Sequence, residues 1–187
     1  MNKRIIIVHG WTGSSTSDFF PWAKDELEKM GYGVITPDMP DTDHPVIEKW
    51  VSYLGEVIGQ PQSTDILIGH SVGVSAILRY LEGLSENAKV KKVIMVAPWA
   101  VSLSNLDDDE DEEIVKPWLE TPINLDQVKN KADSFVAIFS DNDPYVPLDN
   151  QDDFREKLGS EIVIEHNMGH FSESEGVKKL PVLLKFI

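Results

Sequence analysis

A serine flanked by glycines lies between a strand-like and a helix-like segment of this sequence. Gly69-His70-Ser71-Val72-Gly73 follows a predicted strand at 64–68 and precedes a predicted amphipathic helix at 74–84. Nucleophilic catalysis needs a serine on a turn sharp enough to project its hydroxyl, and the flanking glycines let strand and helix approach each other. The helix N-terminus would also point its positive dipole end at a developing oxyanion. We therefore predict that Ser71 is a nucleophile.

A serine nucleophile requires a general base, and His170 is the histidine best placed for that role. It lies in Asn167-Met168-Gly169-His170-Phe171, directly after the last strand-like segment. Histidine is the side chain that accepts and donates a proton near neutral pH. His166 lies four residues earlier, inside or at the end of that strand, and is the weaker candidate.

An acid that orients the histidine is expected after the preceding strand-like segment. Ser140-Asp141-Asn142-Asp143-Pro144 supplies two carboxylates, either of which could hold an imidazole in the required tautomer. The alternative is an ordinary turn, because Asp and Asn before proline often form one. Serine, acid and histidine would then follow one another along the chain in an order known for triads on α/β sheets.

Two glycine-bearing turns could supply backbone N–H groups to an oxyanion. His9-Gly10-Trp11-Thr12-Gly13 follows the first strand-like segment, and we predict the Trp11 and Val72 N–H groups as the two donors. The alternative is a turn that only connects a strand to a helix. Candidate substrate-pocket residues adjoin these turns or follow the fourth strand: Thr12, His70 and Trp99. For His70 the alternative is a packing role behind the turn Gly69–Gly73, here named the nucleophile turn.

Short apolar, β-branched segments alternate with segments of helical periodicity. The predicted strands are 5–8, 34–36, 66–68, 93–97, 135–139 and 162–164, and the clearest helical stripes run through Ala23 and Leu27, through Trp50 and Leu54, and through Ile77 and Leu81. This alternation predicts an α/β fold, a three-layer α/β/α sandwich around a parallel sheet of about six strands. Ligands bind beyond the carboxyl ends of such strands, where all the candidate residues lie.

Composition narrows the function classes. With 187 residues the chain fits a single domain, residues 1–187, and the absence of cysteine excludes a thiolate nucleophile or a cysteine zinc site. We predict no cofactor and no metal. A net charge of −15 argues against nucleic acid or an anionic membrane as partner. Nothing indicates a protein partner, and the absence of a signal or transmembrane pattern predicts a cytoplasmic protein.

Residues 98–131 differ from the rest of the chain because their periodicity is poor. They contain seven consecutive acidic residues, 107–113. We expect a cap-like loop insertion with short helical pieces, its acidic run solvated, because the glycine and ligand spacing of a calcium loop are missing. Such a loop would border the substrate entrance and disfavour anionic substrates.

Taken together, these motifs resemble the α/β-hydrolase superfamily, and most closely the small serine hydrolases of the retinoblastoma-binding protein nine and bacterial YdeN type. The resemblance runs essentially end to end and is carried by His9-Gly10-Trp11, the Gly69–Gly73 turn, Asp143-Pro144 with Pro147, and Gly169-His170-Phe171. In that family the acid belongs to an Asp-Pro-x-x-Pro stretch, which favours Asp143 over Asp141.

The resemblance implies a compact α/β-hydrolase with little or no cap domain and a Ser71-His170-Asp143 triad. It implies carboxylesterase-like cleavage of small-molecule acyl esters through an acyl-enzyme. The alternatives are an interaction protein that keeps the fold with little turnover, or an acyltransferase or peptidase using the same triad. The natural substrate, its acyl-chain length and the oligomeric state do not follow from the sequence.

Overall fold

The described part of the chain forms a six-stranded parallel sheet with helices on both faces. The structure, a computed structural model, describes residues 3–99, 102–106 and 109–187. The strands are β1 (Arg4–Val8), β2 (Gly33–Ile35), β3 (Ile66–His70), β4 (Val90–Val96), β5 (Ala132–Ser140) and β6 (Glu161–Glu165). Their order across the sheet is β2-β1-β3-β4-β5-β6, and every neighbouring pair is parallel. The six predicted strands are confirmed, each with its bounds shifted by a few residues.

Helices form the two outer layers. They are α1 (Phe20–Lys29), α2 (Ile47–Ile58), α3 (Val72–Glu82), α4 (Asp109–Glu120), α5 (Leu125–Val128) and α6 (Asn150–Leu158), with 3-10 turns at Lys129–Lys131, Glu173–Glu175 and Pro181–Phe186. Helix α2 contacts α3, α3 contacts α5, and α5 contacts α6, so these four share one layer. Right-handed crossovers place α1 on the opposite face, because β1 to β2 runs the other way across the sheet. The three-layer prediction is confirmed.

Helix α3 is buried around its whole circumference. Every residue from Val72 to Leu81 is buried, including the polar Ser75 and Arg79. A helix with neighbours all around it need not be amphipathic, and here α3 contacts β1 and β3 of the sheet and the helices α2 and α5. The nucleophile turn therefore leads into one of the most constrained helices of the fold.

The acidic segment differs from its prediction. Residues 109–113, expected in a solvated loop, open the twelve-residue helix α4, while Asp107 and Asp108 lie outside the described residues. Acidic residues stabilise the first turns of a helix through its dipole, and Val115 and Trp118 on α4 are buried. Within the described ranges, no helix has the length and apolar character needed to cross a bilayer.

The C-terminal end of α4 is anchored to the central helix. The Arg79 guanidinium donates to the carbonyl oxygens of Trp118 and Thr121 at 2.9 and 2.5 Å. The Trp118 indole N–H donates to the Pro45 carbonyl at 2.8 Å. These bonds hold α4 over the carboxyl end of the sheet, where it covers part of the cavity described next.

Candidate active site

Ser71 occupies the turn between β3 and α3 in a strained conformation. Its φ of 51° and ψ of −125° lie in a region that L-residues rarely adopt. The Ser71 N–H donates to the Val96 carbonyl at 3.0 Å, which fixes the turn to β4. The residue is half-buried and borders the main cavity of the described residues, as a nucleophile must.

Close packing explains the two glycines that flank Ser71. A Cβ added to Gly69 would lie 2.8 Å from the Val74 backbone nitrogen, closer than real Cβ atoms approach other atoms. A Cβ on Gly73 would overlap the carbonyl oxygens of Val8 and His9. Strand β3, helix α3 and the end of β1 can therefore meet only with glycine at both positions, as the sequence pattern implied.

His170 and Asp143 form a buried hydrogen-bonded pair beside this turn. The His170 Nδ1–H donates to Asp143 Oδ2 at 2.9 Å and lies 3.1 Å from Oδ1. The Tyr145 and Val146 backbone N–H groups donate to Asp143 Oδ1 at 2.9 and 3.0 Å. With its proton on Nδ1, the imidazole keeps Nε2 as an acceptor, the arrangement that a general base for serine needs.

The two competing residues, Asp141 and His166, bind each other instead. The His166 Nδ1 lies 2.6 Å from Asp141 Oδ2, and the Asn167 N–H donates to Asp141 Oδ1 at 2.9 Å. This pair lies at the surface, outside the cavity that contains Ser71. Of these four residues, His170 borders the cavity together with Ser71, and Asp143 is the hydrogen-bond partner of His170.

A polar network holds the loop after β5, which carries Asp143 (the acid loop), against the loop after β6, which carries His170 (the base loop). Asn142 Oδ1 accepts hydrogen bonds from the Ser140 hydroxyl and the Gly169 N–H, each at 2.8 Å. The Met168 N–H in turn donates to Ser140 Oγ at 3.1 Å. Since the four residues span the ends of β5 and β6, these bonds set the separation of Asp143 and His170.

The two predicted oxyanion donors carry free N–H groups. The backbone N–H groups of Trp11 and Val72 have no hydrogen-bond partner among the residues that the structure describes. The neighbouring Thr12 N–H, by contrast, donates to the Thr42 carbonyl at 2.9 Å and is not available. Trp11 and Val72 both border the cavity beside Ser71, and the Val72 N–H opens helix α3.

The cavity has a volume of about 600 Å³ and two chemically different walls. One wall is mainly apolar and comes from the segment between β4 and the end of α4: Trp99, Leu103, Leu106, Ile114, Val115 and Trp118, with Asp111 at its edge. The other is polar and comes from the β1–α1 loop and the turn after His170: Thr12, Thr16, Ser17, Asp18, Ser172, Glu173 and Ser174.

All three predicted pocket residues border this cavity, but they contribute differently. Thr12 is exposed on the polar wall, and Trp99 is only 4% exposed on the apolar one. Most of the apolar wall was not predicted. The spacing of Ile114, Val115 and Trp118 was the available signal, and it was obscured by the acidic residues before it and by Pro117 inside the helix.

His70 lies behind the nucleophile turn and connects it to the base loop. Its Nε2–H donates to the His170 carbonyl at 2.8 Å, and its ring packs against Phe19 and Phe20. Burial lowers the pKa of His70 to about 3, so the ring is neutral at physiological pH. The neutral ring uses its one N–H to hold the loop that carries the predicted base.

His9 completes the interior of the first turn. Its Nδ1–H donates to the Gly10 carbonyl at 2.8 Å, and its Nε2 accepts from the Met39 N–H at 2.9 Å. Burial lowers the pKa of His9 as well. Among the described residues, no three histidine or carboxylate side chains are grouped as a metal site would require.

The parallel sheet, the strained serine turn at its carboxyl edge and the buried histidine–aspartate pair define an α/β-hydrolase. Residues 5–187 match the model of a protein family described as serine hydrolase. The chain therefore belongs to this serine hydrolase family.

Individual relatives agree with this assignment. The chain is 28% identical to the protein YdeN of Bacillus subtilis over 98% of its length and 93% of YdeN. The crystal structure of the Bacillus subtilis ydeN product superposes with a TM-score of 0.90 over 98% of this chain and 96% of that one. The chain is also 23% identical to the rat serine hydrolase RBBP9, over 91% of this chain and 82% of RBBP9.

A more distant likeness concerns the fold alone. A carboxylesterase structure from Nitrososphaera gargenis is 15% identical, with a TM-score of 0.72 over 98% of this chain and 89% of that one.

Proposed function

We propose that this protein is a carboxylesterase-like serine hydrolase that cleaves small acyl esters through an acyl-enzyme on Ser71. The observation that carries the proposal is the buried His170–Asp143 pair, with His170 Nδ1 2.9 Å from the carboxylate and Ser71 bordering the same cavity. Burying a carboxylate costs free energy because desolvation opposes it, so a shielded Asp143 paired with a histidine at a cavity favours a functional site.

Each proposed step uses a group that borders the cavity beside Ser71. His170 Nε2 takes the Ser71 hydroxyl proton as Oγ attacks the ester carbonyl, and the same proton then passes to the leaving alcohol. The Trp11 and Val72 N–H groups donate to the tetrahedral oxyanion, which stabilises it by about 3 kcal/mol per donor. Water, deprotonated by His170, then releases the acid and regenerates Ser71.

A blocked cavity would favour the alternative hypothesis, an interaction protein that retains only the fold. Here the cavity reaches a half-exposed Ser71, and two backbone N–H groups beside it are unbonded. Both features support turnover. Whether an acyltransferase or peptidase reaction also occurs with the same triad depends on the shape of the pocket.

The test is labelling with a fluorophosphonate, wild type beside Ser71→Ala, read by intact mass and followed by hydrolysis of p-nitrophenyl butanoate. We expect one adduct on the wild type, none on Ser71→Ala, and loss of hydrolysis by about 10³-fold or more in the variant. A folded wild type that takes no adduct, or a variant that keeps its activity, would exclude the proposal.

A further inference from the structure

The polar wall of the cavity is joined directly to the base loop. Ser172, Glu173 and Ser174 follow His170 in the chain. Asp18, from the β1–α1 loop, accepts the Glu173 N–H on Oδ1 at 2.8 Å. The polar wall is therefore the His170 side of the cavity, and Asp18 is held on that side.

Proton transfer assigns the two halves of an ester to the two walls. His170 must protonate the leaving oxygen, so the alcohol has to depart along the side of the cavity that His170 occupies. The acyl group then lies on the other side, between residues such as Trp99 and Val115. In this arrangement an apolar acyl group would lie under α4 and a polar alcohol against Asp18 and the turn after His170.

The polar wall also carries negative charge, on Asp18 and Glu173. No lysine or arginine is among the described residues that line the cavity. Glu173 is neutralised by Lys178, whose Nζ lies 2.5 Å from Glu173 Oε1. Asp18 has no lysine or arginine partner within the described ranges, and its Oδ2 accepts no hydrogen bond there. The imidazoles whose charge would act on it are those of His170 and His9.

Asp18 is also incompletely solvated. Its side chain is half-buried, and burial raises the pKa of Asp18 above its ordinary value, against the opposing effects of the Glu173 N–H and of His170. A partly desolvated carboxylate without a lysine or arginine partner gains from a cation that enters the cavity. The net charge of −15 would also draw cations toward the molecule.

We propose that Asp18 is the specificity-determining residue for a cationic leaving group, so that the preferred esters join an apolar acyl chain to an ammonium-bearing alcohol. This inference rests on the function proposed above. The alcohol leaves with the proton from His170, and its ammonium group pairs with Asp18 Oδ2, while the scissile ester lies at Ser71.

The test compares two isosteric esters that differ only in charge: butanoylcholine and 3,3-dimethylbutyl butanoate. We expect the wild type to hydrolyse the choline ester with a kcat/KM about five to ten times higher, the effect of a partly solvated ion pair. Asp18→Asn should reduce this ratio to about two or less. Asparagine tolerates the φ of 53° at this position and can still accept the Glu173 N–H, so the variant removes only the charge.

The matched control is Glu156→Gln, which makes the same change in net charge on the exposed face of α6. It should keep the wild-type ratio. An equal rate for both esters in the wild type, or an unchanged ratio in Asp18→Asn, would overturn the proposal. Both rates in the ratio are measured on the same protein sample. An unfolded fraction of a variant therefore lowers both rates equally and leaves the ratio unchanged.

A second ester pair tests which wall binds the cation. The p-nitrophenyl esters of 4-trimethylammoniobutanoate and 5,5-dimethylhexanoate place the same charge change in the acyl group, where we expect the neutral ester to be preferred. A preference for the cationic acyl group would overturn the assignment of the walls. Failure of the esterase function itself gives a different result, since neither ester of any pair would then be cleaved and Ser71 would take no fluorophosphonate.

Discussion

Two histidine–aspartate pairs lie within a few residues of each other, and they differ in burial far more than in geometry. His166 and Asp141 are 2.6 Å apart with side chains 76% and 36% exposed. His170 and Asp143 are 2.9 Å apart with side chains 14% and 2% exposed. The shorter contact belongs to the surface pair, so distance does not identify the catalytic candidate.

Position relative to the cavity distinguishes the two pairs. Asp143 is held by two backbone N–H groups, and His170 borders the space in front of Ser71. The surface pair is solvated, and its charges are screened. Hydrogen bonds from Asn167 and His166 lower the pKa of Asp141, and Asp141 raises the pKa of His166, but these shifts occur where no substrate group is held.

The largest expected effect comes from removing each carboxylate in turn. Asp143→Asn should lower kcat by about 10³- to 10⁴-fold, because the amide no longer stabilises an imidazolium or its tautomer. Asp141→Asn should change kcat by less than about twofold. Steady-state hydrolysis of p-nitrophenyl butanoate measures both, with circular dichroism to confirm folding. Equal losses of kcat in the two variants would show that the difference in burial does not determine which histidine–aspartate pair is catalytic.

A smaller effect is expected at His70, a positioning residue that acts through His170. His70→Phe keeps a ring of similar volume but cannot donate to the His170 carbonyl, and we expect kcat to fall about tenfold with KM nearly unchanged. His70→Gln can place an N–H near the original Nε2 and should recover most of the loss. If the Phe and Gln variants behave alike, the hydrogen bond to the base loop does not matter.

The last expected effect is on stability rather than on rate, and it distinguishes the buried His70 from the exposed His166. The pKa of His70 is about 3 in the fold, against 6.5 for the free side chain, so between these values only the unfolded state binds the proton. Stability is therefore lost as pH falls below 6.5, by about 1.4 kcal/mol per pH unit from this group. Urea unfolding at pH 6.5, 5.5 and 4.5 should show a shallower loss in His70→Gln.

His166→Gln is the control for that experiment. The pKa of His166 is raised, so its pairing with Asp141 stabilises the fold below pH 6.5 and is lost as pH rises through the folded pKa. Its removal should not make the acid loss shallower. A shallower loss in His166→Gln would mean that the titrating group has been misassigned.

Much of the fold and of the candidate site followed from the sequence. Buried parallel strands are continuous apolar runs, and the functional groups of such a sheet follow the strands directly, so Ser71 and His170 could be located from spacing. The choice of Asp143 over Asp141 did not follow from local spacing. Both carboxylates occupy the same loop, and the choice came from the family resemblance.

The cavity walls were harder to predict, since they depend on contacts between distant segments. Helix α4 was obscured by its acidic start, and its position depends on Arg79 and Pro45, which are remote in sequence. Asp18 is an ordinary loop acid in the sequence. Its proximity to the His170 loop depends on the bond to Glu173, 155 residues away.

The strained turn at Ser71 has a consequence for evolution. A residue with φ of 51° and ψ of −125° is more stable as glycine, because glycine adopts that conformation without steric cost. Stability and chemistry therefore make opposite demands on position 71. If Ser71 is the nucleophile, as proposed above, a lineage released from selection for catalysis would be expected to change first at this position, while the glycines around it, fixed by packing, would be retained after the activity is lost.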